Sequence, residues 1–361
     1  LSYSRKCLGA TICTLLLLPL LLACDSGGVV ATATPNPGLK GRIAFTKQAA
    51  VNATSDLFLI NADGTGEVQV TAGAKVQGEF AWSPKGDRIA FSGLNAAGKL
   101  QINVVSLLPG QQPQTSNLSQ PKADETFPTW SPDGSQLAFA SKRGGSYQVY
   151  TMQADGSGAR QISSGYAYAG WPSWSPDGSQ LAFVAGETSA GGDLLKAELY
   201  TMRPDGSAAK KLTSYNTILL RPRWSPDSQR LTFIYRQADA TRTPKLYLTN
   251  ADGSGQRAIT EGAARDNNPL WSPDSQQLVY YSNANGGGRD NIFLAAAASL
   301  NSRQLTLDSG LYPSFSPDAG SIIFSRRVAE QTQLFVMNAD GSNQRQLTFS
   351  AGSHDFPAWI R

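Results

Sequence analysis

Few residues in this sequence could do chemistry. The single imidazole, His354, lies between Ser353 and Asp355. A nucleophile, a base and an acid are therefore adjacent, but consecutive side chains point in different directions. A triad needs its base bonded to both partners at once. There is no Gly-x-Ser-x-Gly elbow either, so His354 reads as a loop histidine without a catalytic role. Acidic turns recur at Asp155-Gly156-Ser157, Asp205-Gly206-Ser207, Asp252-Gly253-Ser254 and Asp340-Gly341-Ser342. Each offers one carboxylate, far short of the six to eight oxygens that Ca²⁺ takes. The three cysteines, Cys7, Cys13 and Cys24, all fall within the first 24 residues. No internal disulfide or thiolate metal site can form in the remainder. The expectation is a binding scaffold rather than an enzyme, with no metal and no cofactor.

Cys24 is the one reactive position with a sequence context. Arg5-Lys6 precede an apolar run that includes Leu15 to Leu18 and is interrupted by Pro19. A basic start, an apolar stretch and a small residue before the cut make the secretory pattern, while a spanning helix needs about 20 apolar residues. Leu21-Leu22-Ala23-Cys24 resembles the bacterial lipobox. The resemblance implies cleavage after Ala23 and a lipid on the Cys24 sulfur. Residues 1–23 then form a signal peptide. Residues 24–40, rich in small and polar types, form a lipidated cysteine with a flexible tether. The domain is expected to be exported and held at the membrane by that lipid, on the extracytoplasmic side. The chain carries 31 Lys+Arg against 27 Asp+Glu, a near balance that gives no electrostatic case for nucleic acid.

The elements that must position everything else are repeats. Trp-Ser-Pro opens at Trp82, Trp130, Trp174, Trp224 and Trp271, becomes Phe315-Ser316-Pro317, and the series ends at Trp359, with anchors 44 to 50 residues apart. After each anchor come a short turn, an apolar strand, a second strand, a polar turn and a short third strand ending in Leu/Ile then Ser/Thr. Four short strands per unit of about 46 residues spell a propeller blade. The sequence therefore predicts an all-β fold over 41–361, a seven-bladed β-propeller of four-stranded antiparallel blades. Residues 42–71 supply three strands without an anchor, and 356–360 supply an anchor without a following blade. The two fragments should complete one blade and close the ring. Pro128, Pro172, Pro222, Pro269, Pro313 and Pro357 each lie two residues before an anchor, with Phe80 in the remaining repeat. Proline belongs on an edge strand, which places the anchor strand innermost, along the channel.

The repeated Pro-x-Trp-Ser-Pro-Asp-Gly units resemble the WD-like repeats of the TolB family and of the propeller domain of prolyl oligopeptidases. TolB has six blades and a small N-terminal α/β domain, whereas this chain counts seven blades after a tether. Seven-bladed oligogalacturonate lyases share similar repeats but rely on several metal-binding histidines, and one histidine puts that activity out of reach. The TolB resemblance implies protein–protein contact at the cell envelope by a monomer. A glycan- or peptidoglycan-binding lipoprotein is the alternative, and a hydrolase-associated propeller a more distant one. Tight turns should share one face and variable connectors (47–56, 187–197, 237–244 and 283–290, with 165–171, 214–221 and 264–268) the other. Length variation on a repeated frame concentrates where a partner is contacted. Tyr166, Tyr168, Trp171, Tyr215, Arg221, Arg265 and Tyr312 give that face the Tyr/Trp/Arg content of interface anchors. The anchor tryptophans themselves read as inter-blade core.

Overall fold

The computed structural model describes residues 41–50, 53–119, 123–236, 241, 243–284 and 288–360. The expected signal peptide, Cys24 and the expected tether lie outside these residues. Seven four-stranded sheets follow one another, each paired antiparallel in simple up-and-down order. Their innermost strands are Ser353–Trp359 in blade 1, then Val76–Trp82, Glu125–Trp130, Tyr168–Trp174, Leu219–Trp224, Asp266–Trp271 and Leu311–Phe315 in blades 2 to 7. Blade 1 joins this C-terminal strand to Arg42–Gln48, with Ile43 opposite Trp359 and Lys47 opposite His354. All seven anchor strands contribute to the wall of one central cavity. The proline pattern placed them there because the channel side of an innermost strand has no ladder partner.

The core is divided into seven apolar clusters, each filling the gap between two neighbouring blades. Every anchor ring packs into one of these gaps. The indole N–H groups of Trp130, Trp224 and Trp271 donate to the carbonyls of Ala81, Ser173 and Arg223 in the preceding blade. Each acceptor is the residue just before that blade's own anchor, so the tryptophan both fills the gap and ties the blades together. The turns after the anchors are internally satisfied. Ser131 Oγ donates to Asp133 Oδ1 at 2.6 Å, and the Ser135 N–H donates to the same oxygen at 3.0 Å. These hydrogen bonds, Ser131 foremost, hold the Asp133 carboxyl down at about 2. Asp-Gly-Ser turns use their carboxylates alike, with Ser254 N and Oγ both donating to Asp252 Oδ1.

The outermost strands are shorter than the sequence pattern suggests. In blade 3 the strand is only Arg160–Gln161, and the Ile162-Ser163 pair leaves the ladder. The Ser163 hydroxyl replaces a backbone acceptor, taking the Val149 N–H at 2.8 Å and donating to Gln148 Oε1 at 2.8 Å. Thr71, Thr213, Thr260, Thr306 and Thr348 accept the corresponding N–H in five other blades. Connector 187–197 is also more ordered than a loop: the strands of that hairpin run to Thr188 and resume at Leu194.

Candidate functional site

Each innermost strand breaks register just before its anchor. Pairing skips from Thr126 to Thr129, Gly170 to Ser173, Leu220 to Arg223, Asn267 to Leu270 and Leu311 to Ser314. The residue before each skipped proline has positive φ: Phe127, Trp171, Arg221, Asn268, Tyr312 and Phe356, all between 50° and 57°. Bulky residues in this region are genuine outliers, and their recurrence in six blades marks a built feature. A bulge of this kind bends the strand and re-aims a side chain. Blade 2 lacks the proline and uses Gly78, φ 69°, so that Glu79 takes the seventh position.

The bulge residues interact around the channel in an ordered sequence. Phe127 stacks on Trp171 with centroids 3.5 Å apart, Arg221 lies 4.9 Å over the Trp171 ring, and Tyr312 stacks on Phe356 at 4.0 Å. Glu79 spans the opening from blade 2 to blade 5, where its two oxygens accept separately from Arg221 and Arg223. Burial would raise the Glu79 pKa, but the charges of Arg223 and Arg221 outweigh that and hold it low. The Tyr312 hydroxyl is pushed up to about 12, mainly by burial and then by Asp355. The Asn268 side chain is buried among these groups, and its Oδ1 has no partner. A channel cavity of about 490 Å³ and a smaller one of about 110 Å³ both have Glu79 and Arg223 in their walls.

The sequence matches the TolB beta propeller domain over residues 40–195 and again over 168–361. The chain belongs to the TolB β-propeller family. Among solved structures it is similar to TolB from Acinetobacter baumannii, at 18% identity and a TM-score of 0.58, over 89% of this chain and 66% of that one. It is also similar to an oligogalacturonate lyase in complex with manganese, at 18% identity and TM-score 0.61, over 85% of each chain. A puromycin-hydrolyzing peptidase from Mycobacterium tuberculosis shares 13% identity and TM-score 0.62 over 88% of this chain and 55% of that one. The chain thus spans less than two thirds of the TolB and peptidase chains. Likeness at these identities shows the fold alone.

Within this TolB-family propeller, the residues expected on the variable face divide into two groups. Trp171, Arg221 and Tyr312 are bulge residues of the channel ring. Tyr166 instead packs edge-on against Phe183 and Tyr200, and Tyr215 against Tyr235 and Tyr247. Tyr168 meets Tyr147 edge-on. These three rings cap their blades. Arg265 is exposed at the mouth, 4.0 Å from Asp290. Of the large hydrophobic side chains exposed among the described residues, Leu195 and Val328 lie at strand ends and Leu307 in a connector, all on the variable-connector side, and Leu307 is 84% exposed. No periodic signal marked them, since they sit at strand ends or in a connector, where the repeats differ in length.

His354 is not in a loop, as its glycine-serine context suggested. It belongs to the blade 1 strand Ser353–Trp359 and is fully buried. Its Nδ1 faces the Thr332 carbonyl at 3.2 Å and its Nε2 faces Ser350 Oγ at 3.1 Å. The local Gly352 ends a turn, and the alternation of the strand then puts His354 inward. Ser353 approaches the Thr332 N–H and is not part of this cluster. Among the described residues, no group of three or more His, Cys, Asp or Glu side chains is placed to hold a metal ion.

Proposed function

We propose that this TolB-family propeller is a lipid-anchored extracytoplasmic scaffold that holds a partner protein on its variable-connector face, without catalysing a reaction. The observation that carries the reading is the exposure of Leu195, Leu307 and Val328, at 49%, 84% and 40%, on the variable-connector side of the blades. Apolar side chains rimmed by polar ones are what a protein interface uses at its core. Arg265 and the ring residues Trp171, Arg221 and Tyr312 add the side-chain types that dominate interface energetics. A glycan would need a platform of exposed rings, whereas Tyr166, Tyr168 and Tyr215 are engaged within their blades.

The test is cross-linking capture from envelopes with the full-length protein and with Leu307→Asp and Arg265→Ala. Leu307→Asp is a surface change and should leave the fold intact while lowering capture of the wild-type partner about tenfold. Capture that survives both changes but is lost on altering the Asp-Gly-Ser turns would put the partner on the opposite face. Capture abolished by muropeptide fragments would favour the glycan reading.

A further inference from the structure

Glu79 does not behave like the other members of its ring. The six other bulge residues sit directly before a proline, whose ring fixes the backbone. Glu79 is flanked by Gly78 and Phe80, and the register break there runs from Val76 to Phe80, leaving Gln77, Gly78 and Glu79 all unpaired. A Cβ added at Gly78 would meet nothing within 4 Å. The one carboxylate that bridges the channel is therefore carried on the least constrained strand around it.

The groups it bridges are charged and reachable. The side chains of Glu79, Arg221 and Arg223 keep 28%, 31% and 35% of their surface accessible. Two guanidiniums share a single carboxylate. Asp290, the nearby alternative, lies beside Arg265, and burial drives Asp355 toward its neutral form. The two cavities share Glu79, Phe80, Ala81, Thr129 and Arg223 in their walls, so withdrawal of Glu79 widens both. The larger already falls within the roughly 300–1,000 Å³ of small-molecule sites. On the smaller cavity's wall Phe127 stacks on Trp171, which Arg221 overlies, so that Phe127 and the Trp171 edge form its apolar surface. Asn268 Oδ1, on the wall of the larger, is buried and lacks a donor.

We propose that the channel is a binding site for an N-acylated aromatic amino acid, and that Glu79 occupies the place of its carboxylate. In the bound form the ligand carboxylate takes the Arg221 and Arg223 donors, since charge-assisted bonds to arginine are the strongest available there. The aromatic group lies against Trp171 and Phe127, and the ligand amide N–H faces Asn268. Glu79 acts as a retractable competitor that satisfies the two arginines when the channel is empty. This site does not depend on the partner-binding reading, because that face can be occupied with the channel closed.

The test is calorimetric titration of the full-length protein with N-acetylphenylalanine and, as control, its amide. Glu79→Gln should bind the acid at least about tenfold more tightly than the wild type, because the competing carboxylate is gone. Adding Arg221→Met and Arg223→Met to Glu79→Gln should remove that gain, and the amide should bind none of these proteins. Equal binding of acid and amide, or a Glu79→Gln affinity no better than wild type, overturns the proposal. If Glu79→Gln does not fold, the wild type and Arg223→Met decide. Binding of the acid by the wild type should fall about tenfold in Arg223→Met, and an unchanged affinity, or no binding by the wild type, overturns it.

Discussion

The indole nitrogen of Trp82 donates to the carbonyl of Ala358, 276 residues later, at 3.2 Å. This is the same bond that Trp130, Trp224 and Trp271 make to their preceding blades, here made between blade 2 and the C-terminal strand of blade 1. Ile360, just beyond that strand, covers Gly86 in the turn after Trp82. The last strand is thus held on one side by the Arg42–Gln48 ladder and on the other by blade 2. Removing residues 356–361 would delete most of a channel-lining strand, take Trp359 out of its inter-blade cluster and leave the Trp82 indole without its acceptor. We expect the truncated chain to lose cooperative unfolding as a whole, with a lower denaturant midpoint and m-value. Calorimetry that showed the same transition as the full chain would mean that the ring does not depend on this strand.

The repeat made the blade number, the closure and the innermost strand legible, because anchor spacing and proline position report directly on backbone constraints. The channel ring was not legible. Phe127, Trp171, Arg221, Asn268, Tyr312 and Phe356 share a register three residues before each anchor, but they differ in type, so a search for identity passes over them. Their common property is a backbone one, a left-handed residue ahead of proline. Glu79 was harder still, since its partners Arg221 and Arg223 lie across the ring in a blade that no local pattern relates to it. Buried His354 was misread because glycine and serine before it resemble a loop.

A buried ion pair sits at the start of the blade 6 anchor strand. Lys245 Nζ lies 2.7 Å from Asp266 Oδ2, and each residue is only 2% exposed. The ammonium also donates to the carbonyls of Ala264 and Glu261. Removing one partner strands the other charge, so Asp266→Leu and Lys245→Met should each cost about 3–5 kcal/mol. The double change Lys245→Met with Asp266→Leu should recover a large part of that loss, because both desolvated charges are gone. Urea melts of the four proteins form the cycle, and additive losses would show that the pair acts as two independent groups.

Acid should loosen the seam between blades 1 and 7. Lys47 Nζ donates to Glu67 Oε1 at 2.7 Å, and Ser350 Oγ reaches both Glu67 oxygens at 2.9 Å. Burial alone would raise the Glu67 pKa, but His354, Lys47 and Ser350 outweigh it and bring it from 4.5 to about 2. A carboxyl depressed in the folded state contributes stability above its unfolded pKa. That contribution fades as pH falls from about 4.5 toward about 2. It amounts to at most about 3 kcal/mol. Glu67→Gln should therefore be less stable at pH 7, and its disadvantage should shrink toward pH 3. A constant difference across that range would assign the loss to packing.

Membrane attachment through Cys24 has a direct readout. Two or more acyl chains hold a protein at a bilayer where a single chain binds marginally. Wild-type protein should fractionate with membranes and partition into detergent, and Cys24→Ser should appear in the soluble fraction or as the unprocessed precursor. Identical fractionation of the two would remove the anchor from the proposed function.

Glycine is required in one class of turn and dispensable in the other. In the turns after the anchors, Ser228, Ser275 and Ala319 adopt φ of 60° to 62° where other blades have glycine. A Cβ at Gly178, in the same turn of blade 4, would come no closer than 3.9 Å to Pro132. In the Asp-Gly-Ser turns the glycines all lie at φ 89°, beyond the left-handed well that other residues reach. Gly206 also presses on the preceding blade, where a Cβ would stand 2.5 Å from the Ile162 carbonyl oxygen. That oxygen is backbone and cannot turn aside. Gly178→Ser should change stability by a few tenths of a kcal/mol, as at compatible sites. Gly206→Ala carries both conformational strain and a clash between blades, and should cost about 1–3 kcal/mol. Parallel denaturant melts compare the two. Equal effects would show that the Asp-Gly-Ser turn relaxes without disturbing its neighbour, and that the blades are less tightly coupled at this edge than the Gly206 contact implies.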